Sequence, residues 1–424
     1  MQATIKPSKI SGLVKAPASK SMMQRVCAAA LLHKGTTVIH NPGYSEDDKA
    51  SLHIIQQLGA KIISQDAHTI IIESNGVNPT SDTIDCDESG LAARLFTPIA
   101  ALAGKEITIT GRGSLLNRSM GEFAIILPQL GVELQKFNGG LPFKMQGHLQ
   151  AKDITINGDI SSQYLSGLLF AFAFSATKPV TIQVQDLKSK PYIDLTLQVL
   201  KHFGKDVAHD NYTIFHVIPS AGTESTIEIA IEGDWSNASY WLVAAATNGD
   251  ITIEGLDNKS VQADKEILGL LQKAGAQIQQ NDKSMQITAA PLREFEFDAT
   301  DCPDLFPALA ILAAKCKGES YIKGIHRLWH KESNRIESIT EMLHQLNIHY
   351  SIEDDALCVR YQNKFDYATI DSYNDHRIAM AAGIGALLAK GPVTITGAEA
   401  VNKSYPDFFK TLISLGANCE INDL

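Results

Sequence analysis

The chain has 424 residues, more than the roughly 250 to 300 at which one hydrophobic core stops growing, so two domains are expected. With 44% apolar residues, 20% charged residues and a formal net charge of −10, it reads as an ordinary soluble globular protein; a disordered chain or a general nucleic-acid surface is excluded, since the latter carries a basic excess. Its longest apolar runs fall short of the roughly 20 residues that cross a bilayer, and MQATIKPSKISG lacks the apolar core of a signal peptide. Six scattered cysteines without a C-x-x-C pair point to reduced, buried thiols in a cytoplasmic protein, with neither a zinc site nor a disulfide framework.

In chain order, one pattern keeps returning: a run of small and apolar residues, a short turn, then a β-branched segment. It appears as MMQRVCAAALLHKGTTVIH, AARLFTPIAALAGKEITIT, YLSGLLFAFAFSATKPVTIQV, ASYWLVAAATNGDITIE, LFPALAILAAKCKGESYIKG and RIAMAAGIGALLAKGPVTITG. Gly or Pro at the turn stops the helix, and the Val, Ile and Thr that follow form a strand. A second helix comes after each strand, as in KASLHIIQQLGA or NRIESITEMLHQLNI, with one apolar stripe and one polar face. These second helices end on a shared mark at Leu58, Leu130, Phe203, Ala274, Leu346 and Leu415, spaced about 70 residues apart. Six copies of a helix, strand, helix, strand unit are predicted, three per domain. The first helix of each copy, apolar all round, belongs inside; the second belongs on a surface. The stretch IEGDWSNASYW marks one junction near 232–234, and APAS marks another near 19–20. Residues 20–232 would then form one domain, and 233–424 the other, completed by 1–19 as an extra strand. Two crossings make a hinge.

The N-terminal ends of the six inner helices share an odd composition. In order they carry Lys20-Ser21, Glu88-Ser89-Gly90, Ser161-Ser162-Gln163, Asp234 with Ser236-Asn237, Asp301 with Asp304, and Asn374-Asp375-His376-Arg377. Helix capping accounts for Ser89, Ser236 and Asp375 taken singly. It does not account for Lys20, Arg25, Arg94 and Arg377, because a cation at a helix N-terminus opposes the macrodipole. An arriving anion reverses that sign: bare N–H groups, dipole and side chain then all favour the same phosphate or carboxylate. Further cations stand in loop-like stretches after the strands: Arg118 in GRGSLLNRSMG, Lys190 in LKSKPYID, Lys331 and Arg335 in HKESNRIES, and Lys403 in VNKSYPDF. Singly each reads as a solvated surface charge; their shared place in the repeat gathers them at one end of each domain. Neither a dinucleotide fingerprint nor a Walker lysine is present, and His326 and His330, at helical i, i+4 spacing, lack a third metal ligand.

The stretches PASKSMMQR, SSQYLSGLL, SKPYIDLTLQVL, GDWSNASYW, KESNRI, YNDHRIAMA and NKSYPDFF resemble the 5-enolpyruvylshikimate-3-phosphate synthase family, in matching order from residue 15 to residue 410. The resemblance implies an α/β protein of the two-domain enolpyruvyl transferase fold, an inside-out α/β barrel of six βαβαββ repeats that closes over its substrates. It implies transfer of the enolpyruvyl group of phosphoenolpyruvate to the 5-hydroxyl of shikimate 3-phosphate, with no cofactor or metal and no nucleic-acid or membrane partner, by a monomer. Lys20, Ser21 and Arg25 would meet shikimate 3-phosphate and bridge toward phosphoenolpyruvate, joined by Ser161, Ser162 and Gln163, with Ser189 and Lys190 or Tyr192 nearby. Phosphoenolpyruvate would be held by Gly90, Arg118, Arg335, Arg377 and Lys403, with His376 in the same binding set. Asp304 resembles the acceptor of the 5-hydroxyl proton, Lys331 a second ligand of the shikimate moiety, and Glu332 or Lys20 the donor that protonates C3.

One departure stands out. Where the family commonly has Asn-Ala-Gly-Thr-Ala-x-Arg, this chain has Glu88-Ser-Gly-Leu91-Ala-Ala-Arg94, which brings a negative charge and removes a hydroxyl near the phosphoenolpyruvate residues. Leu91→Thr is expected to change affinity for phosphoenolpyruvate more than for shikimate 3-phosphate. Two other functions are less compatible with the sequence. The related UDP-N-acetylglucosamine enolpyruvyl transferases usually carry a reactive cysteine in the loop that is GRGSLLNRSMG here, which has none. A six-repeat ring clamped on DNA would need cations along exposed helix faces.

Overall fold

The computed structural model describes residues 1–220, 225–281, 284–329 and 331–422. The chain forms two compact units, Ala18–Glu232 and Met1–Pro17 together with Gly233–Leu424. The first carries helices α1 (Lys20–Leu32), α2 (Glu46–Gln57), α3 (Gly90–Ala100), α4 (Phe123–Gln129), α5 (Ser162–Ser175) and α6 (Lys190–His202). The second carries α7 (Trp235–Asn248), α8 (Ile267–Ala274), α9 (Phe306–Lys315), α10 (Arg335–Gln345), α11 (His376–Ala386) and α12 (Phe408–Ser414).

Odd-numbered helices are buried along almost their whole length. They are rich in Ala, Leu and Met, the best helix formers, and their small side chains let neighbours approach closely. Gly167 on α5 shows how closely: an added Cβ would fall 2.6 Å from the Arg94 carbonyl oxygen of α3. Helices α1, α3 and α5 pack on one another in the first unit, and α7, α9 and α11 do so in the second. Even-numbered helices bury one side, as α2 buries Leu52, Ile54 and Ile55 while Lys49, His53 and Gln56 stay exposed.

Among the described residues, six four-stranded sheets share one pattern. In one example Thr83–Asp85 lies parallel to Ile107–Thr110, which pairs antiparallel with Phe143–Gln146, itself antiparallel to Glu133–Gln135. Two of these strands are missing from the helix, strand, helix, strand reading: the one ahead of each buried helix, and the hairpin partner after each surface helix but α12. The leading strands run from three residues (Thr83–Asp85) to six (Ile10–Lys15), and most are too short to show a period of two against their surroundings. With them restored, the second, third and fifth copies are the βαβαββ unit that the family resemblance implied, and the other three each complete their sheet with a strand from elsewhere in the chain.

The chain's beginning contributes two strands where one was expected. Gln2–Lys6 sits between Val393–Thr396 and Asn418–Asn422, antiparallel to both, and Ile10–Lys15 pairs parallel with Gly249–Glu254. In the first unit the last strand, Ile227–Ala230, returns to pair with Gly35–His40, so the third copy closes on the first. Among the described residues no helix is long and apolar enough to cross a membrane.

Candidate active site

In the Ala18–Glu232 unit, the N-termini of the three buried helices meet at one end. Ser19, Ser89 and Ser161 cap α1, α3 and α5 through their hydroxyl oxygens, and the Ser89 hydroxyl also donates to Gln24 Oε1 on α1 (3.3 Å). Ser161 is thus both a predicted ligand and an N-cap, with Ser162 buried at the first helical position and Gln163 next to it.

Arg25 is 1% exposed, and its three hydrogen-bond acceptors are all neutral: Thr196 Oγ1 (2.9 Å), the Ser21 carbonyl (2.8 Å) and the Tyr192 carbonyl (3.1 Å). Burial pulls its pKa down to about 10. A buried guanidinium without a counter-charge is costly, and a bound anion is what relieves that cost. Arg94 has the same character: Nη1 donates to Gln163 Oε1 (2.8 Å), Nη2 to the Ser119 carbonyl (3.0 Å), and its guanidinium lies 5.4 Å from the Tyr164 ring centre. Because Arg94 occupies the amide oxygen of Gln163, the amide NH₂ is the end turned to other acceptors. Lys20, at the first position of α1, pairs instead with Asp47 on α2 (2.8 Å).

Arg118 comes from the segment after Ile107–Thr110, and its guanidinium lies against Gly90 at the start of α3. A Cβ at residue 90 would fall 2.7 Å from Arg118 Cζ, so glycine is required for this approach. Ser189 is buried in the left-handed region (φ 54°), a conformation that costs a non-glycine residue about 1 to 3 kcal/mol and recurs where a site is held in shape. Tyr192 enters through its backbone carbonyl, the acceptor for Arg25.

The Met1–Pro17/Gly233–Leu424 unit gathers a denser set. Asp304, in a short helical turn ahead of α9, accepts from Arg335 Nη1 (2.8 Å) on Oδ1 and from Arg377 Nη2 (2.8 Å) on Oδ2, with Lys331 Nζ at 3.6 Å. Arg335, at the first position of α10, is fully buried and also donates to Glu332 and, through Nε, to Asp375 Oδ2 (2.9 Å). Burying it costs several kcal/mol, which three carboxylates offset. Burial opposes its charge, but Asp375, Glu332 and Asp304 outweigh that and raise its pKa. Burial likewise works against the charge of Asp304, yet Arg377, Lys331 and Arg335 hold its carboxyl well below the usual range. Lys331 is pulled down to about 8, chiefly by burial.

Asp375 serves twice: Oδ1 caps α11 by accepting from the Arg377 N–H (2.9 Å), while Oδ2 holds Arg335. Lys403 Nζ donates to the Asn374 carbonyl (2.6 Å), just ahead of the same cap. His376 is buried at the first position of α11, with Nδ1 3.9 Å from Asp375 Oδ1. Of the two histidines at i, i+4 spacing, His326 pairs with Asp355 Oδ2 (2.7 Å) and His330 lies outside the described residues.

Two contributors, Asp47 and Asp264, are not legible in the sequence as site residues, and for Arg94 the partner is not. Asp47 reads as an ordinary acidic residue in the first turn of α2, and only the folded contact shows it meeting Lys20. Arg94 was visible as a misplaced cation, but its grip on Gln163 was not. Asp264, fully buried after α7, accepts from the Ser236 hydroxyl; burial first, then the charge of Asp304, raises its pKa to about 7.

Residues 5–412 match the family described as EPSP synthase (3-phosphoshikimate 1-carboxyvinyltransferase). The chain belongs to this family. It is 33% identical to the 3-phosphoshikimate 1-carboxyvinyltransferase of Clostridium novyi, covering 97% of this chain and 96% of that one. It is 34% identical to the enzyme of the same name from Clostridium acetobutylicum, covering 98% and 97%. Among solved structures, an EPSP synthase from Acinetobacter baumannii superposes with a TM-score of 0.83 at 25% identity, covering all of both chains. The enolpyruvyl transferase NikO from Streptomyces tendae shares the fold, with a TM-score of 0.77 at 17% identity over 99% of this chain and 98% of that one. The α/β enolpyruvyl transferase fold read from the sequence is therefore the fold of this protein.

Proposed function

We propose that the protein is a 3-phosphoshikimate 1-carboxyvinyltransferase whose charged helix mouths hold two anionic substrates. It transfers the carboxyvinyl group of phosphoenolpyruvate to the 5-hydroxyl of shikimate 3-phosphate and releases phosphate, on the route to chorismate and the aromatic amino acids. The observation that carries the site reading is Arg25, a buried cation whose protein partners are all neutral and which an anionic substrate would complete.

In the Ala18–Glu232 unit, Lys20, Ser21, Arg25, Ser161, Ser162, Gln163, Ser189 and Tyr192 serve shikimate 3-phosphate, and Gly90 and Arg118 serve phosphoenolpyruvate. In the other unit, Arg335, Arg377 and Lys403, with His376 beside them, supply positive charge for phosphoenolpyruvate, and Lys331 meets the shikimate moiety. The 5-hydroxyl attacks C2 of phosphoenolpyruvate while its proton passes to Asp304; C3 gains a proton from Glu332 or Lys20. The resulting adduct keeps the carboxylate and the phosphate, so the cations act by position and by preorganised charge. Loss of phosphate together with a C3 proton then yields the product.

At rest Asp304 is a poor base, because two guanidiniums hold it as a carboxylate. An anionic donor that draws on Arg335 and Arg377 raises its proton affinity when the hydroxyl needs it. Glu332→Gln and Lys20→Met separate the two C3 donors, since only loss of the true donor abolishes exchange of the C3 hydrogens with solvent. Buried unpaired thiols at Cys27, Cys86, Cys302, Cys316 and Cys358 support a reducing, cytoplasmic setting. Phosphate release measured with shikimate 3-phosphate or UDP-N-acetylglucosamine as acceptor tests the reading. Release with the first alone is expected; release with the second alone would contradict it.

A further inference from the structure

We propose that the carboxylates of Asp87 and Glu88 form a clamp that fixes the loop carrying Arg118, and so set the place of the Arg118 guanidinium over Gly90. Glu88 Oε2 accepts from both the Ser114 backbone N–H (3.2 Å) and the Ser114 hydroxyl (3.3 Å). It sits so close to Gly113 that an added Cβ there would come within 2.6 Å of Oε1, and Gly113 itself has φ +56°. Both features call for glycine at that position. One residue earlier, Asp87 holds Arg112 by three hydrogen bonds: Arg112 Nε donates to its Oδ1, Nη2 to its Oδ2 (2.7 Å) and the Arg112 N–H to its carbonyl (2.7 Å).

Beyond this grip the chain makes the turn Gly113–Asn117 and delivers Arg118, which returns to Gly90, two residues after Glu88. The segment from Arg112 to Arg118 is therefore tied at both ends to the four residues Asp87–Gly90. Fixing a guanidinium this way preorganises it for a planar anion, and loss of the acceptor, which strands the Ser114 donors, is worth about tenfold in affinity. Glu88 Oε2 faces two donors of the loop, which gives the carboxylate a structural role beside its charge. Glu88 is thus a positioning residue that acts through Arg118, and the proposal rests on Arg118 binding phosphoenolpyruvate.

The test is steady-state kinetics on the full chain, varying each substrate in turn, for Glu88→Ala, Glu88→Gln, Glu88→Asp and Arg118→Ala. Glu88→Ala should raise KM for phosphoenolpyruvate about tenfold and leave KM for shikimate 3-phosphate within about twofold. Glu88→Gln keeps a carbonyl acceptor at the same reach and should restore the wild-type KM to within about twofold. Glu88→Asp keeps the charge but shortens the reach, and should raise KM for phosphoenolpyruvate several-fold even if the alanine variant does not fold. If Glu88→Gln and Glu88→Ala both lower KM for phosphoenolpyruvate, the carboxylate repels substrate and the clamp is wrong. If Glu88→Ala and Glu88→Asp change nothing while Arg118→Ala weakens phosphoenolpyruvate binding, the clamp is wrong and the role of Arg118 stands. If Arg118→Ala itself leaves KM unchanged, the reading of Arg118 fails first.

Discussion

The two helix mouths of this protein use their cations differently. In the Ala18–Glu232 unit, Arg25 and Arg94 give their hydrogens to hydroxyl, amide and carbonyl oxygens, so their charge is poised but not neutralised by those partners. In the Gly233–Leu424 part, Arg335 and Arg377 are bound to carboxylates, and one guanidinium serves Asp304, Glu332 and Asp375 together. The first arrangement suits a receptor for a fixed phosphate. The second suits proton chemistry, because a carboxylate whose cationic partners also met an anionic substrate, as proposed, would change its proton affinity when that substrate bound.

That contrast can be broken in several ways. The largest effect is expected for Asp304→Asn, which keeps the shape but removes the base; kcat should fall about 10²- to 10⁴-fold, and a rate within tenfold of wild type would take the base role away from Asp304. Next, Arg335→Met leaves buried Asp375 without its guanidinium partner and should cost about 3 to 5 kcal/mol in chemical denaturation. Arg25→Met, which strands only neutral acceptors, should cost less stability yet weaken shikimate 3-phosphate binding by calorimetry about 10- to 100-fold. Equal stability losses would erase the distinction between the mouths.

A smaller effect belongs to Gly90→Ala. The new methyl would collide with the Arg118 guanidinium, so KM for phosphoenolpyruvate should rise about tenfold while KM for shikimate 3-phosphate stays near wild type. The mildest is a pH effect. Lys331 has its pKa lowered from the ordinary lysine value to about 8, mainly by burial. As pH rises from 7 to 9 its ammonium is lost, and KM for shikimate 3-phosphate should rise a few-fold. Stability from this group runs the other way: above about 8 the unfolded chain binds the extra proton, so stability grows with pH until the ordinary lysine pKa is passed. Lys331→Met should flatten both trends.

Much of the fold was readable because a period near 70 residues repeats with the same small-residue helix each time. The apolar character of α1, α3, α5, α7, α9 and α11 placed them inside, and they are. The short strands ahead of them were not readable from pattern, since three or four residues such as Thr83–Asp85 hold no period of their own. At the sites, cations standing where a helix dipole rejects them drew attention to Lys20, Arg25 and Arg377. Sequence could not show what each one touches. That Arg25 meets only neutral acceptors, that Lys20 meets Asp47, or that Asp264 lies buried beside Ser236 follows from contacts between segments far apart in the chain. Glu88 is the sharpest case: it reads as negative charge near the phosphoenolpyruvate residues, and sequence could not show that its Oε2 accepts from the loop at Ser114.

The most direct test compares stability with binding in Lys20→Met and Arg377→Met. Each variant gives up an ion pair, to Asp47 or Asp304, and some thermal stability with it; if the charges stand at helix mouths for substrate, affinity for the anionic substrates, measured by titration calorimetry, should also fall about 10- to 150-fold, the worth of one charge-assisted hydrogen bond. Variants that lose stability but bind both anions as tightly as the wild type would show the charges to be structural, and the account would be wrong.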